Sequence, residues 1–248
     1  MRDRIFQIVE NEFSSLIEKI QSDFITNFKA KQHNFLLKEL DPLMSAHMVF
    51  VSSFESKSGN SIQKVAKEVA KLRYGAENVP QIVNPHQLEH NVQNPNEHEQ
   101  IIVSNVDMNN PELQGKIAEF MTRCEGDSRK KVCCSVNHES ILELLDGELP
   151  ISNEIHTKPV DLAFWDGDEL NIMEIKAGGN LDSSNAPSNA KKLLTIYTGL
   201  NYRKTKPYFA TIYHKDGEGR TWSGSIKKYL QYPHMFLVGS AFWNKILP

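Results

Sequence analysis

Between residues 4 and 40 the apolar side chains fall at Ile5, Ile8, Val9, Phe13, Leu16, Ile17, Ile20, Phe24, Ile25 and Phe28, with polar residues between them. Steps of three and four put these positions on one stripe of an α-helix, so the segment predicts one or two amphipathic helices. Asp41-Pro42 interrupts the pattern. The polar run Ser56-Lys57-Ser58-Gly59-Asn60 then leads into Val65, Val69 and Leu72, which predicts a helix from about Ser61 that ends before Gly75. Residues 76 to 100 are crowded with Asn, Pro, His and Gln and read as irregular loops. Leu113, Ile117, Phe120 and Met121 predict a helix from Pro111 to Arg123, and a short one follows from about His138 to Leu145, stopping at Asp146-Gly147. After Pro150 the period shortens. Apolar runs alternate with turns, predicting strands within 159–176, 207–213 and 235–241.

The order of elements implies a mixed α/β fold, with a mixed β-sheet flanked by helices over 151–248 and a mostly helical part over 1–150. A chain of 248 residues with 40% hydrophobic content can bury one substantial core, so a single domain spanning 1–248 is expected. No apolar run approaches the length that crosses a bilayer, and Met1-Arg2-Asp3-Arg4 leads into a charged helical pattern rather than a signal peptide. A soluble, cytoplasmic protein with no membrane partner is the expectation. Cys124, Cys133 and Cys134 make an odd count that fits no disulfide framework, and they read as reduced.

A net charge of −3 argues at first against a partner as acidic as DNA. The distribution changes that picture. From Lys176 onward there are eleven Lys and Arg against three Asp and Glu, whereas residues 1–175 carry seventeen against twenty-eight. Such asymmetry is a hint of nucleic-acid contact, or an ordinary surface dipole.

The chemistry sits between Lys158 and Lys176. Two strand-like runs flank Asp166-Gly167-Asp168, a strong signal for a tight hairpin turn. With Gly167 and Asp168 as the two-residue loop, Asp161 lies opposite Glu174, and side-chain alternation puts Glu174 and Lys176 on one face with Ile175 on the other; a turn at Asp166-Gly167 shifts the pairing by two and keeps the three polar groups on that face, whereas a one-residue slip separates them. Two close carboxylates repel unless a cation sits between them, and Mg²⁺ commonly takes one or two carboxylates while keeping waters and substrate oxygens. Such an ion polarises a phosphodiester and activates water, and a neighbouring amine can orient that water or stabilise developing charge. The competing reading is an amphipathic hairpin with an exposed cross-strand salt bridge.

Pro159-Val160-Asp161 followed by Glu174-Ile175-Lys176 resembles the PD-(D/E)XK motif of nucleases, with one extra residue between the proline and the aspartate. The resemblance implies a Mg²⁺-dependent site in which Asp161, Glu174 and the Ile175 carbonyl hold the metal and Lys176 assists the attacking water. The segment from Glu174 to Leu200, with its Gly-Gly-Asn-Leu-Asp run, is similar to type II restriction endonucleases, including the TdeIII-like group. Val238-Gly239-Ser240-Ala241-Phe242-Trp243 is similar to the Gly-x-x-Phe-Trp ending of several such enzymes; physically it reads as a closing strand and aromatic plug. Over residues 155–245 this kinship implies a restriction-endonuclease-like fold, a double-stranded DNA substrate, a homodimer, and a short palindromic target such as GGNCC.

Around that core, Asn180, Ser183, Ser184 and Asn185 carry groups suited to groove edges and phosphates, and Asn189, Lys191 and Lys192 follow on a helix starting near Pro187. These are the candidate DNA contacts. Nucleases of this class often add a carboxylate from a neighbouring helix; Glu55 is the candidate, with Glu68 its neighbour. Three alternatives remain: a repair or junction-resolving nuclease of the same fold, a non-catalytic DNA-binding protein, and a small-molecule or metal-binding module built on His86, His90 and His98, with His138 further on.

Overall fold

The computed structural model describes residues 1–31, 33–89, 99–129, 136–178 and 185–248. It divides into two compact units, Met1–Val69 and Ala70–Pro248.

The first unit is helical, as its periodicity predicts. It contains α1 (Arg2–Lys31), α2 (Phe35–Lys38) and most of α3 (Pro42–Tyr74), whose last residues belong to the second unit. Asp41 begins α3 as a cap: its Oδ1 accepts from the backbone N–H of Leu43 at 2.9 Å and of Met44 at 3.4 Å. The polar run at 56–60, expected to precede a helix, lies inside this one. The hydroxyls of Ser56 and Ser58 donate back to the carbonyls of Ser53 and Glu55. They thereby satisfy themselves within the helix instead of ending it. Leu16, Ile20, Val49, Ile62 and Val65 are buried, while Phe6, Ile25, Phe35, Leu43 and Val51 are exposed.

The second unit carries two sheets. In the first, β1 (Ile82–Val83) runs parallel to β2 (Gln100–Val106), which pairs antiparallel with β3 (Ile151–Val160). The second is mixed and ordered β4-β5-β6-β7, from β4 (Leu162–Asp166), β5 (Glu169–Lys176), β6 (Thr205–Thr211) and β7 (Phe236–Val238). β4 and β5 are antiparallel and the other pairs parallel. Pairing from Leu162↔Met173 to Asp166↔Glu169 leaves Gly167 and Asp168 in the turn, with Gly167 at φ 62. That is the register the Asp-Gly-Asp signal predicts.

Helix α4 (Pro111–Arg129) buries Leu113, Ile117 and Phe120, and α5 (Asn185–Leu200) buries Leu193, Leu194 and Ile196; α5 packs on β2, β5 and β6. Three features differ from the pattern-based expectation. β2 is hidden beside the Asn- and His-rich stretch, residues 140–145 form a 3-10 helix, and the last strand stops at Val238. There Gly239, at φ 53, turns the chain into α6 (Ser240–Ile246), where Phe242 is buried and the Trp243 indole N–H donates to the Ile212 carbonyl at 2.8 Å.

Candidate active site

Asp161 lies at a break. The chain that the sequence suggests as one hairpin arm ends β3 at Val160 in the first sheet and begins β4 at Leu162 in the second. Gln100, at the start of β2, locks this crossing. Its buried side-chain amide donates to the carbonyls of Pro80 (2.6 Å) and Ala163 (2.8 Å) and accepts from the Ala163 N–H (2.9 Å). A side chain thus supplies the outer edge of β4 with the bonds a neighbouring strand would give. Nothing in the sequence marks Gln100, because a single polar residue opening an apolar run carries no periodic signal.

Held there, Asp161 accepts through Oδ2 from the Ile175 N–H at 2.7 Å, which ties it to the end of β5. Glu174 and Lys176 share a face of β5: the Lys176 ammonium donates to Glu174 Oε1 at 2.7 Å. Ile175 points into the core at 4% exposure, as alternation predicts. A fourth group joins from α5. The Lys192 ammonium donates to Glu174 Oε2 at 2.6 Å and stands 4.0 Å from Asp161 Oδ1. The Glu174 side chain is only 2% exposed and that of Asp161 12%, whereas Lys176 and Lys192 are 38% and 42% exposed.

Burial pushes the Asp161 carboxyl up to about 6, and the negative charge of Glu174 adds to this; Lys192, the Ile175 N–H and Lys176 act in the opposite direction. Burial works to lower the Lys192 pKa, but the hydrogen bond and charge of Glu174, with the charge of Asp161, outweigh it, and the net shift is upward. Two close acids are therefore held together by an internal cation. That donor set suits a divalent cation with oxygen ligands, since Mg²⁺ needs only one or two carboxylates besides water and substrate oxygens.

Asp161, Glu174, Lys176 and Lys192 come together, and Lys192, read from sequence as a DNA contact, stands among the carboxylates. Asn189 caps backward onto the Asn185 carbonyl at 2.8 Å, and Lys191 is exposed beside Lys192 on α5. Glu55 is exposed on α3 in the first unit. Asn180, Ser183 and Ser184 lie outside the described residues. At Gly178, with φ 125, an added Cβ would stand 2.8 Å from the Tyr213 ring, so the backbone there passes close to this side chain. His86 bonds the Leu200 and Asn201 carbonyls, His138 bonds the Pro207 carbonyl, and His90 and His98 lie outside the described residues. Among the described residues no group of three or more His, Cys, Asp or Glu is placed to hold a metal, and no helix is long and apolar enough to cross a membrane.

The family model for HinfI, a type II restriction endonuclease, matches residues 1–248. No curated protein and no solved structure matches significantly.

Proposed function

We propose, from the premise that this chain belongs to the HinfI family of type II restriction endonucleases, that it cuts DNA at the Asp161–Glu174–Lys176–Lys192 cluster as a PD-(D/E)XK nuclease using Mg²⁺. Membership makes it a site-specific deoxyribonuclease acting on double-stranded DNA. The observation that carries the site assignment is Glu174. It is almost fully buried, each of its oxygens accepts from a different lysine, and its charge bears on a second buried acid. A structural salt bridge on an exposed face would leave these carboxylates in water.

In this reading Asp161, Glu174 and the Ile175 carbonyl hold the metal. Mg²⁺ bound there would supply a Lewis acid for the phosphodiester and lower the pKa of the attacking water. The Ile175 N–H fixes the orientation of Asp161. Lys176, hydrogen-bonded to Glu174 and more than a third exposed, is placed to orient water or to neutralise charge on the phosphate. Lys192 balances the acids in the metal-free protein. Asn185, Asn189 and Lys191 at the start of α5, with Asn180, Ser183 and Ser184, are the proposed DNA contacts, and Glu55 a proposed accessory acid. The GGNCC palindrome rests on the TdeIII-like resemblance alone.

A duplex has two strands and the chain offers one such cluster among its described residues, so we propose a C2 homodimer. The exposed Phe6, Ile25, Phe35, Leu43 and Val51 of the first unit support it, as apolar side chains that a second copy would cover.

Digestion of plasmid DNA by the purified chain, with Mg²⁺ or with EDTA, tests the assignment. Discrete Mg²⁺-dependent fragments are expected, with Asp161→Asn and Lys176→Ala reducing cleavage by at least about 100-fold while the fold is retained. Retained cutting by both variants sinks the site. A smear favours a repair or junction-resolving nuclease, and no cutting of varied DNA favours a binding protein.

A further inference from the structure

Beside the carboxylates the second unit has a groove of roughly 350 Å³, between the start of α5, the end of β3 and the residues leading into α4. Lys158, Lys191 and Lys192 line it, with Asn109, Gln114 and Ser188 between them, and no carboxylate lines it. Its walls are tied together: the Gln114 amide donates to the Met108 carbonyl at 2.6 Å and reaches the Thr195 hydroxyl on α5 at 3.4 Å. Lys192 joins groove and site, because it lines the groove and its ammonium donates to Glu174.

The other two lysines differ from their neighbours. Lys204 and Lys206, near the hairpin turn, are paired with Asp168 and Glu169. No ion pair engages Lys158 or Lys191 among the described residues. Holding unpaired ammonium groups around one concave surface raises its potential, and the ligand that relieves this is an extended polyanion. The Asn109 amide between the lysines suits phosphate and sugar oxygens, while the Gln114 amide, taken up by Met108 and Thr195, braces the wall that carries it.

Resting on the nuclease reading, we propose that this groove seats the sugar–phosphate backbone of one DNA strand as it leads to the carboxylates, with Lys158 and Lys191 each neutralising a phosphate. The assignment adds Lys158 from β3 and Asn109 from the approach to α4, with Gln114 of α4 bracing their wall, to a DNA surface that the sequence placed only after Glu174. Lys191 and Lys192 then divide two tasks between adjacent positions of one helix turn, separated by about 100°: Lys192 faces the acids and Lys191 the backbone.

The test is the salt dependence of binding to a short mixed-sequence duplex in EDTA, where cleavage is off. For each phosphate that is no longer neutralised, the slope of log K against log salt should shrink by about 0.9. The Lys158→Ala/Lys191→Ala double variant is therefore expected to lose about 1.8 of slope and to bind about tenfold or more weakly at low salt. It should melt at the wild-type temperature, and the corresponding double arginine variant should restore binding. Lys204→Ala, at the far end of the sheet, should leave the slope unchanged. An unchanged slope in the double alanine variant, alongside normal wild-type digestion, overturns the groove and leaves the nuclease reading standing. A wild-type chain that neither binds nor cuts duplex overturns both.

Discussion

A carboxyl that must ionise to bind a cation, yet is buried beside another acid, makes its own protonation part of the chemistry. On the proposed Mg²⁺ assignment Asp161 is in that position, pushed up to about 6 first by burial and then by Glu174. In the metal-free protein its raised pKa favours folding while it is protonated. Stability from this group is present below the ordinary value of 3.8 and lost as pH rises through about 6. Metal binding runs the other way. At fixed, sub-saturating Mg²⁺, cleavage should rise about tenfold per unit below about pH 6 and level off above it; a profile flat between about pH 5 and pH 7 would contradict this assignment. Unfolding by urea in EDTA offers a check free of activity, because Asp161→Asn should remove the acid-side gain in stability. Neither behaviour is readable from the motif. The spacing of Asp161 and Glu174 shows that they can meet, but the sign and size of the shift depend on burial and on Lys192, eighteen residues beyond Glu174.

Among the elements, the strand pair β4–β5 is legible in the sequence down to two placements of the Asp-Gly-Asp turn, and the structure takes the one with Gly167 and Asp168 in the loop. The break before it is not. Val160 and Leu162 are both apolar and both extended, so a local pattern cannot tell that they belong to different sheets. Gln100 decides the matter by satisfying both backbone groups of Ala163, two residues beyond Asp161. Gln100→Ala would strand those groups and the Pro80 carbonyl in a buried setting, where each unpaired group costs about 1–3 kcal/mol. A loss of about 3 kcal/mol in chemical denaturation is expected, with cleavage falling further than folded fraction because Asp161 loses its fixed position. Denaturation indistinguishable from wild type would show that the edge of β4 is held otherwise. Helix α3 teaches the opposite lesson: serines that compete with the backbone in isolation are accommodated inside a long helix, where packing sets the outcome.

For the whole molecule, the question is what covers the exposed apolar side chains of the first unit. Among the described residues, ten of the twelve large hydrophobic side chains that are exposed fall in the first 51 positions, whereas Ile151 and Tyr213 are the two beyond them. In the proposed homodimer the second copy would cover these side chains. A triple variant, Phe6→Glu, Ile25→Lys and Val51→Lys, is expected to convert a dimer to a monomer in light scattering while far-ultraviolet helicity is kept. A wild-type chain that is monomeric at micromolar concentration overturns the homodimer. Charge at this scale is legible from the sequence: the basic excess after Lys176 includes Lys191 and Lys192 of the lysine groove.

By itself the sequence determined the hairpin, the shared face of Glu174 and Lys176, and the helical character of the N-terminal part, and it narrowed the register to two choices. Each of these follows from short-range rules of turn geometry and periodicity. Tertiary structure alone decided that Asp161 stands between two sheets, that Gln100 replaces a missing strand, and that a lysine from α5 balances the acids. These depend on side chains far apart in the chain meeting in a buried place, and burial, which sets both hydrogen-bond satisfaction and charge state, has no local signature.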